Sequence, residues 1–306
     1  MRDAFIRVLL EHAVSDSDIF LITGDLGFKV LDKYREELPN QFLNIGIAEQ
    51  NMAGVAAGLA LEGRKVFIYS IGNFPVMRCL EHIRNDIAYH NANVKIVSVG
   101  GGFSYGSLGV SHHATEDLSI MRSIPNIFLT APGDVYETEE IVKFFIKNNT
   151  PGYLRLDKSL PKVETQGLGN FEFGKARVLQ EGNDISLLTT GGALSIGLEV
   201  AQFLQKQGIE SRVLSIHSLK PIDVNSILKA AKDTKGVFTI EENVVEGGLG
   251  GAVAEVCIEN SVLPKSFYRF GLYNKFCSAV GSQKYLRKHC GIDSKSISDK
   301  IKELIK

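Results

Sequence analysis

The 306-residue chain carries 34 basic and 35 acidic residues, an apolar share of 44% and 30 glycines. Its length favours two domains, and its balanced charge, without a basic stripe, argues against a nucleic-acid or anionic-membrane surface, which needs clustered positive charge. No apolar run approaches bilayer length. The four cysteines, Cys79, Cys257, Cys277 and Cys290, form no CxxC pair and read as reduced thiols of a cytoplasmic protein, with neither a disulfide frame nor a zinc site.

Residues 1–10 have charges inside their apolar stretch, so an amphipathic helix is expected there and no signal peptide. Short runs rich in Val, Ile and Phe recur at 19–23, 65–69, 94–99, 127–130 and 153–156, each followed by glycine or a polar turn, which is the pattern of buried parallel strands. Amphipathic segments at 50–62, 77–89 and 135–147 alternate with them. The periodicity lapses over 157–183, a stretch with Pro161 and four glycines. Alternation resumes with strands at 185–190, 212–216 and 236–240 and helices at 194–205, 224–231 and 252–260. The expected fold is α/β, with two domains, 1–160 and 184–306, joined by a connection at 161–183. Each domain is a mostly parallel sheet flanked by helices.

Ligands of such sheets bind at the carboxyl ends of strands, and three loops there carry chemistry: Gly24-Asp25-Leu26-Gly27, residues 44–52 around Glu49, and the glycine-rich stretch 100–116 with His112 and His113. Glu49 opens a helix, where an acid meets the positive end of the dipole whether or not it is catalytic. Histidine titrates near neutrality, and long loops are commonly functional, so acid–base or hydrogen-bonding duty suits the histidine pair. A metal would need further ligands and only Glu116 and Asp117 are near, so none is expected. An ordinary helix start over 111–117, with Thr115 as its cap, is an equal reading of that stretch. The cluster Gly247-Gly248-Leu249-Gly250-Gly251 sits where backbone amides bind anions, but spells neither GxGxxG nor a Walker loop, which favours tight packing. No GxSxG elbow supports a hydrolase.

Taken together, these segments resemble the C-terminal half of transketolases, above all the split kind in which that half is a separate chain. Asn44-Ile45-Gly46-Ile47-Ala48-Glu49-Gln50 is similar to the family's glutamate motif and residues 111–117 to its histidine loop. Met121-Arg122-Ser123-Ile124-Pro125-Asn126, Ala131-Pro132-Gly133-Asp134, Ser218-Leu219-Lys220-Pro221-Ile222-Asp223 and Glu241-Glu242-Asn243 to Gly251 follow in the family's order, so the likeness covers nearly the whole chain. It implies a thiamine-diphosphate enzyme that transfers a two-carbon ketol unit between sugars or sugar phosphates. In that enzyme Glu49 is the catalytic acid, hydrogen-bonded to a ring nitrogen of the aminopyrimidine. The family's Gly-Asp-Gly motif, which holds diphosphate through Mg²⁺, is missing here. The resemblance therefore implies an N-terminal partner subunit carrying that site, an enzyme active only with this partner, and a heterotetramer of two copies of each chain.

The resemblance also assigns cofactor contacts to Asp25, Ile71 and Phe74. Phe74 matches the second of two stacking phenylalanines three apart, while Ile71 replaces the first. It assigns substrate contacts to Arg2, Lys29, Leu108 and His112. Many relatives place an aspartate that reads a sugar hydroxyl near the position of Leu108, and an apolar side chain accepts no hydrogen bond, so a donor other than an ordinary ketose phosphate is expected. Three alternatives stay open: a 1-deoxyxylulose-phosphate-synthase-like carboligase using pyruvate, the beta subunit of a 2-oxoacid dehydrogenase, and a non-catalytic assembly module. Arg84 to Tyr89 and the Ser111-His112 loop look more like the split transketolases.

Overall fold

The computed structural model describes residues 1–158, 165–273 and 275–305. Its strands, in chain order, are β1 Ile19–Thr23, β2 Phe42–Asn44, β3 Lys65–Ile71, β4 Val94–Val99, β5 Phe128–Thr130, β6 Gly152–Leu156, β7 Arg177–Gln180, β8 Ile185–Thr189, β9 Ser211–Ser215, β10 Ser218–Lys220, β11 Gly236–Val244 and β12 Phe267–Leu272. They form a seven-stranded sheet in the order β10-β5-β6-β4-β3-β1-β2 and a five-stranded sheet in the order β12-β11-β8-β9-β7. Only β10 against β5 and β7 against β9 run antiparallel. The central strands are buried on both faces, β4 and β6 at every residue, which is why they read as unbroken apolar runs in the sequence.

Helices Arg2–Ala13 and Val135–Lys147 cover one face of the large sheet through Phe5, Leu9, Ile141 and Phe145. On the other face, Met52, Ala53 and Ala56 of helix Glu49–Leu61 join a core that continues into the second domain through Leu188, Leu214, Val237 and Leu249. Helices Ala193–Gln205 and Ser294–Leu304 close the outer face of the small sheet. One continuous core therefore seats the small sheet against the large one.

Strands β2 and β12 were not expected from the sequence, and three further stretches differ from that reading. The helix expected over 77–89 is broken into turns Phe74–Met77 and Leu80–His82 and a π-helical stretch Ile83–Ala88. Pro75 sets an early start, because its ring pre-forms the first helical turn, and the widened turn keeps Ile83, Ile87 and Ala88 buried. Part of 161–183 is strand rather than connection: β7 pairs with β9, and its Arg177 is anchored by Asp134 and Glu137 of the first domain. Residues 161–164 of that expected connection, with 159 and 160 before it, lie outside the described residues. Lastly, β10 crosses over to extend the large sheet beside β5.

Candidate active site

The carboxyl ends of β1, β2, β3 and β4 open toward one set of loops. A left-handed glycine, Gly46, turns the chain before helix Glu49–Leu61, whose N-cap is Ala48 and whose first residue, Glu49, is 5% exposed. A side chain on Gly24 would come within 3.3 Å of the Gly46 carbonyl and 3.9 Å of Glu49 Cγ, so the loop after β1 packs directly beside this acid. Asn44 ties the two loops: its amide donates to Asp25 Oδ1 at 3.1 Å, and its carbonyl oxygen accepts from the backbone N–H groups of Asp25 at 2.9 Å and Gly46 at 3.1 Å.

Arg78 Nη1 donates to Glu49 Oε1 at 3.0 Å, and its Cζ lies 4.0 Å from the centroid of the Phe74 ring. A flat, cationic, N–H-bearing group thus rests on Phe74 while pointing at Glu49. These are the two contacts that an aminopyrimidine asks of a protein, a stacking face and an acid at the ring edge, so the residues present fit that group. Phe74 in turn meets the edge of His112 at 5.2 Å.

His112 and His113 have different tasks. His112 is half-buried, with Ser111 Oγ 3.0 Å from its Nδ1. His113 is buried against the edge of Phe103 at 5.0 Å, and burial lowers its pKa below the usual histidine value. The Asn73 amide donates to the His113 carbonyl, and Gly102 and Ala114 exchange backbone bonds of 2.8 and 3.0 Å, which pinches the loop shut. The loop turns twice through short 3₁₀ segments, Gly106–Leu108 and Val110–His112, and helix Asp117–Ser123 follows without the Thr115 cap considered from sequence.

The structure brings Glu49, Phe74 and His112 into one chain of contacts, with Asp25 beside it. Ile71 is half-buried at the end of β3, next to Gly72, whose added Cβ would lie 3.2 Å from the His112 carbonyl. Leu108 is 54% exposed on the loop surface. Arg2 and Lys29 stand outside that chain of contacts: the Arg2 guanidinium pairs with Asp3 at 3.0 Å, and Lys29 is exposed in a left-handed turn whose N–H donates to Asp32. Two cations escaped the sequence reading. Arg78 was legible as the residue four beyond Phe74, a spacing that stacks side chains on a helical turn. Lys158 follows β6 and holds its Nζ 4.7 Å from the Tyr105 centroid, beside the histidine loop; nothing in the sequence singles it out.

Other candidates resolve into structure. At the 247–251 glycines, Glu241 already fills the helix N-terminus, accepting from Leu249 and Gly250 N–H at 2.8 Å each. A Cβ on Gly248 would sit 2.1 Å from that carboxylate, so close packing explains the glycine. Burial pushes the Glu241 carboxyl up to about 7. A cleft of about 340 Å³ between the domains is lined by Arg122, Lys220 and Glu255, but its cations are engaged, Arg122 with Glu255 and Lys220 with the Ile124 carbonyl. Among the described residues, no three His, Cys, Asp or Glu side chains converge as a metal site would require.

Residues 1–163 match the model of the transketolase pyrimidine-binding domain, and residues 174–297 that of the transketolase C-terminal domain. The chain is 36% identical over its whole length to an apulose-4-phosphate transketolase subunit of Phocaeicola vulgatus, covering 97% of that protein. It is 34% identical to the 6-deoxy-6-sulfo-D-fructose transketolase subunit of Clostridium sp. (strain MSTE9), over 97% of this chain and 92% of the relative. Its fold superposes with a TM-score of 0.89 and 34% identity on a split-gene transketolase solved as an inactive beta4 tetramer, covering 99% of this chain and 97% of the other.

Proposed function

The chain belongs to the transketolase family, as the C-terminal half of the split kind, and from that premise we propose that it grips the aminopyrimidine of thiamine diphosphate in a two-chain enzyme transferring a two-carbon ketol unit between sugars or sugar phosphates. One observation carries the reading: buried Glu49 and the Phe74 face already converge on a flat N–H donor. Thiamine diphosphate, when bound, supplies the nucleophilic carbon and the electron sink. Glu49 Oε would hold the proton shared with a ring nitrogen, Phe74 would supply the stacking face, and Asp25 and Ile71 would complete the cofactor contacts. Arg78 gives up its place on Glu49 to the cofactor.

His112 has its Nδ1 engaged by Ser111, which leaves Nε2 for a substrate hydroxyl in this reading. The names of both relatives describe ketoses that carry an anionic group, phosphate in one and a sulfo group in the other. An anionic sugar is accordingly the proposed substrate class here, with Arg2, Lys29 and Lys158 as the cations on this chain that meet it. The diphosphate and Mg²⁺ belong to the N-terminal partner, in a heterotetramer of two copies of each chain.

The test is to co-purify the chain with a partner that carries a Gly-Asp-Gly motif and to screen donors. Turnover by the complex and by neither chain alone is expected. Tight, Mg²⁺-dependent cofactor binding by the isolated chain in calorimetry would overturn the split-site reading.

A further inference from the structure

Every site residue expected from the sequence lies within residues 1–113, yet the histidine loop is held from the second domain. Glu242 of β11 is 4% exposed, and its Oε1 accepts the Phe103 backbone N–H at 2.6 Å. Gln283 donates to both of its oxygens, at 3.1 and 3.2 Å, and Arg287 donates to Oε2 through Nε at 2.8 Å and through Nη2. The approach is so close that a Cβ on Gly102 would lie 2.5 Å from Glu242 Cγ. Two residues further along β11, Val244 N–H donates to the Thr115 carbonyl at 2.7 Å, where the loop ends. The Phe103 ring is buried with Leu272, Leu286 and Ile292 of the second domain, and it meets His113 edge to face. β11 therefore grips the loop at its entrance and at its exit, with His112 suspended between the two grips.

We propose that Glu242 is a positioning residue for His112, acting through the Phe103 N–H to set where the histidine loop meets the substrate. This rests on the transketolase reading. A purely structural ion pair with Arg287 is the competing account, and two substitutions separate charge from reach. In Glu242→Gln the reach remains and Oε1 still accepts from Phe103, but the new NH2 faces the donors of Arg287 and Gln283, so the variant loses the ion pair and keeps the loop contact. In Glu242→Asp the charge remains for Arg287, but the carboxylate is one methylene too short for Phe103.

The experiment uses the two-chain complex with thiamine diphosphate, and reads KM and kcat for the best donor, cofactor affinity, and amide hydrogen exchange over residues 100–116. Glu242→Asp is expected to raise KM about tenfold, the scale of one lost hydrogen bond to a charged acceptor. It should leave kcat and cofactor affinity nearly unchanged and speed exchange at Phe103. Glu242→Gln is expected to lower the melting temperature of the complex through the lost ion pair while keeping KM and exchange at Phe103 close to wild type. Equal or larger effects of the Gln variant on KM and on exchange at Phe103, an unchanged KM in the Asp variant, or failure of the Asp complex to assemble would each assign Glu242 to structure alone and overturn the proposal. Absence of ketol transfer by the wild-type complex would instead remove the functional reading, while the exchange data still decide whether Glu242 orders the loop.

Discussion

Glu49→Gln separates the function of the acid from its place in the fold. Its ion-pair partner Arg78 has a side chain 48% exposed, so solvent screens the pair from that side even though Glu49 is buried, and with the hydrogen bond kept the lost charge costs about 1 kcal/mol. Glutamine is nearly isosteric and still accepts from Arg78, so the melting temperature of the variant should move by only about 2–4 °C. The chemistry is far more sensitive. An acid at the ring nitrogen that shares a proton is typically worth about 10²- to 10⁴-fold, or roughly 3–5 kcal/mol of barrier, and an amide shares no proton there. With the partner subunit present, proton–deuterium exchange at the thiazolium carbon of the bound cofactor, followed by acid-quench NMR, should slow by that factor along with turnover. Normal exchange in a folded, assembled Glu49→Gln complex would refute the assignment and return Glu49 to the role of an acid at a helix N-terminus.

Arg78→Met removes the guanidinium that holds Phe74 and Glu49, so calorimetry on the complex should show cofactor binding tightened severalfold, at a cost of about 1 kcal/mol or less to the free chain; weaker binding would mean that Arg78 assists the bound state. Leu108 offers an apolar surface where a hydroxyl would stay unpaired, at about 1–3 kcal/mol. Leu108→Asp should therefore shift donor preference toward xylulose phosphate over pyruvate or hydroxypyruvate, and no shift would place hydroxyl reading on another residue. Burial, aided by the Arg177 charge, pushes the His217 imidazole down to about 4 from 6.5. The unfolded chain therefore binds more protons than the folded one in that window, and folding stability falls as pH drops from 6.5 to 4, by up to about 3 kcal/mol from this group. Because Phe171 stacks on His217 at 4.7 Å, His217→Phe should keep the packing and flatten that pH dependence in urea titrations, and an equally steep loss in the variant would assign it to other groups.

Where an element's pattern was local, the sequence displayed it. Strands 19–23 and 94–99 and helix 135–147 carry complete apolar runs or stripes bounded by turn residues, and they occur at those limits. β7 and β10 were hidden because strands of four and three residues carry little periodicity of their own, and what fixes them lies elsewhere in the chain. Buried Arg177 of β7 pairs with Asp134 and Glu137, and Ser218 of β10 pairs with Thr130. The break at 77–89 had a local sign in Pro75, but the π turn that follows depends on the core into which Ile83 and Ile87 must point.

The candidate site divides along the same line. Glu49, Phe74 and His112 each stand on a loop at a strand's carboxyl end, so topology and resemblance together were enough to group them. What sets their relative placement came from side chains without a motif of their own. Arg78 has only its spacing of four from Phe74 to mark it, and that spacing does not report that it bridges the acid and the aromatic ring. Glu242 lies on a strand of the other sheet, and its link to His112 runs through a backbone N–H that no residue pattern reports. Dividing the chain into a site-bearing and a site-free domain thus conceals a dependence. The loop belongs to the first domain by sequence, but its entrance and exit are fixed by β11 of the second, so a change in how the two sheets seat against each other would move His112 relative to Glu49 while leaving both residues intact.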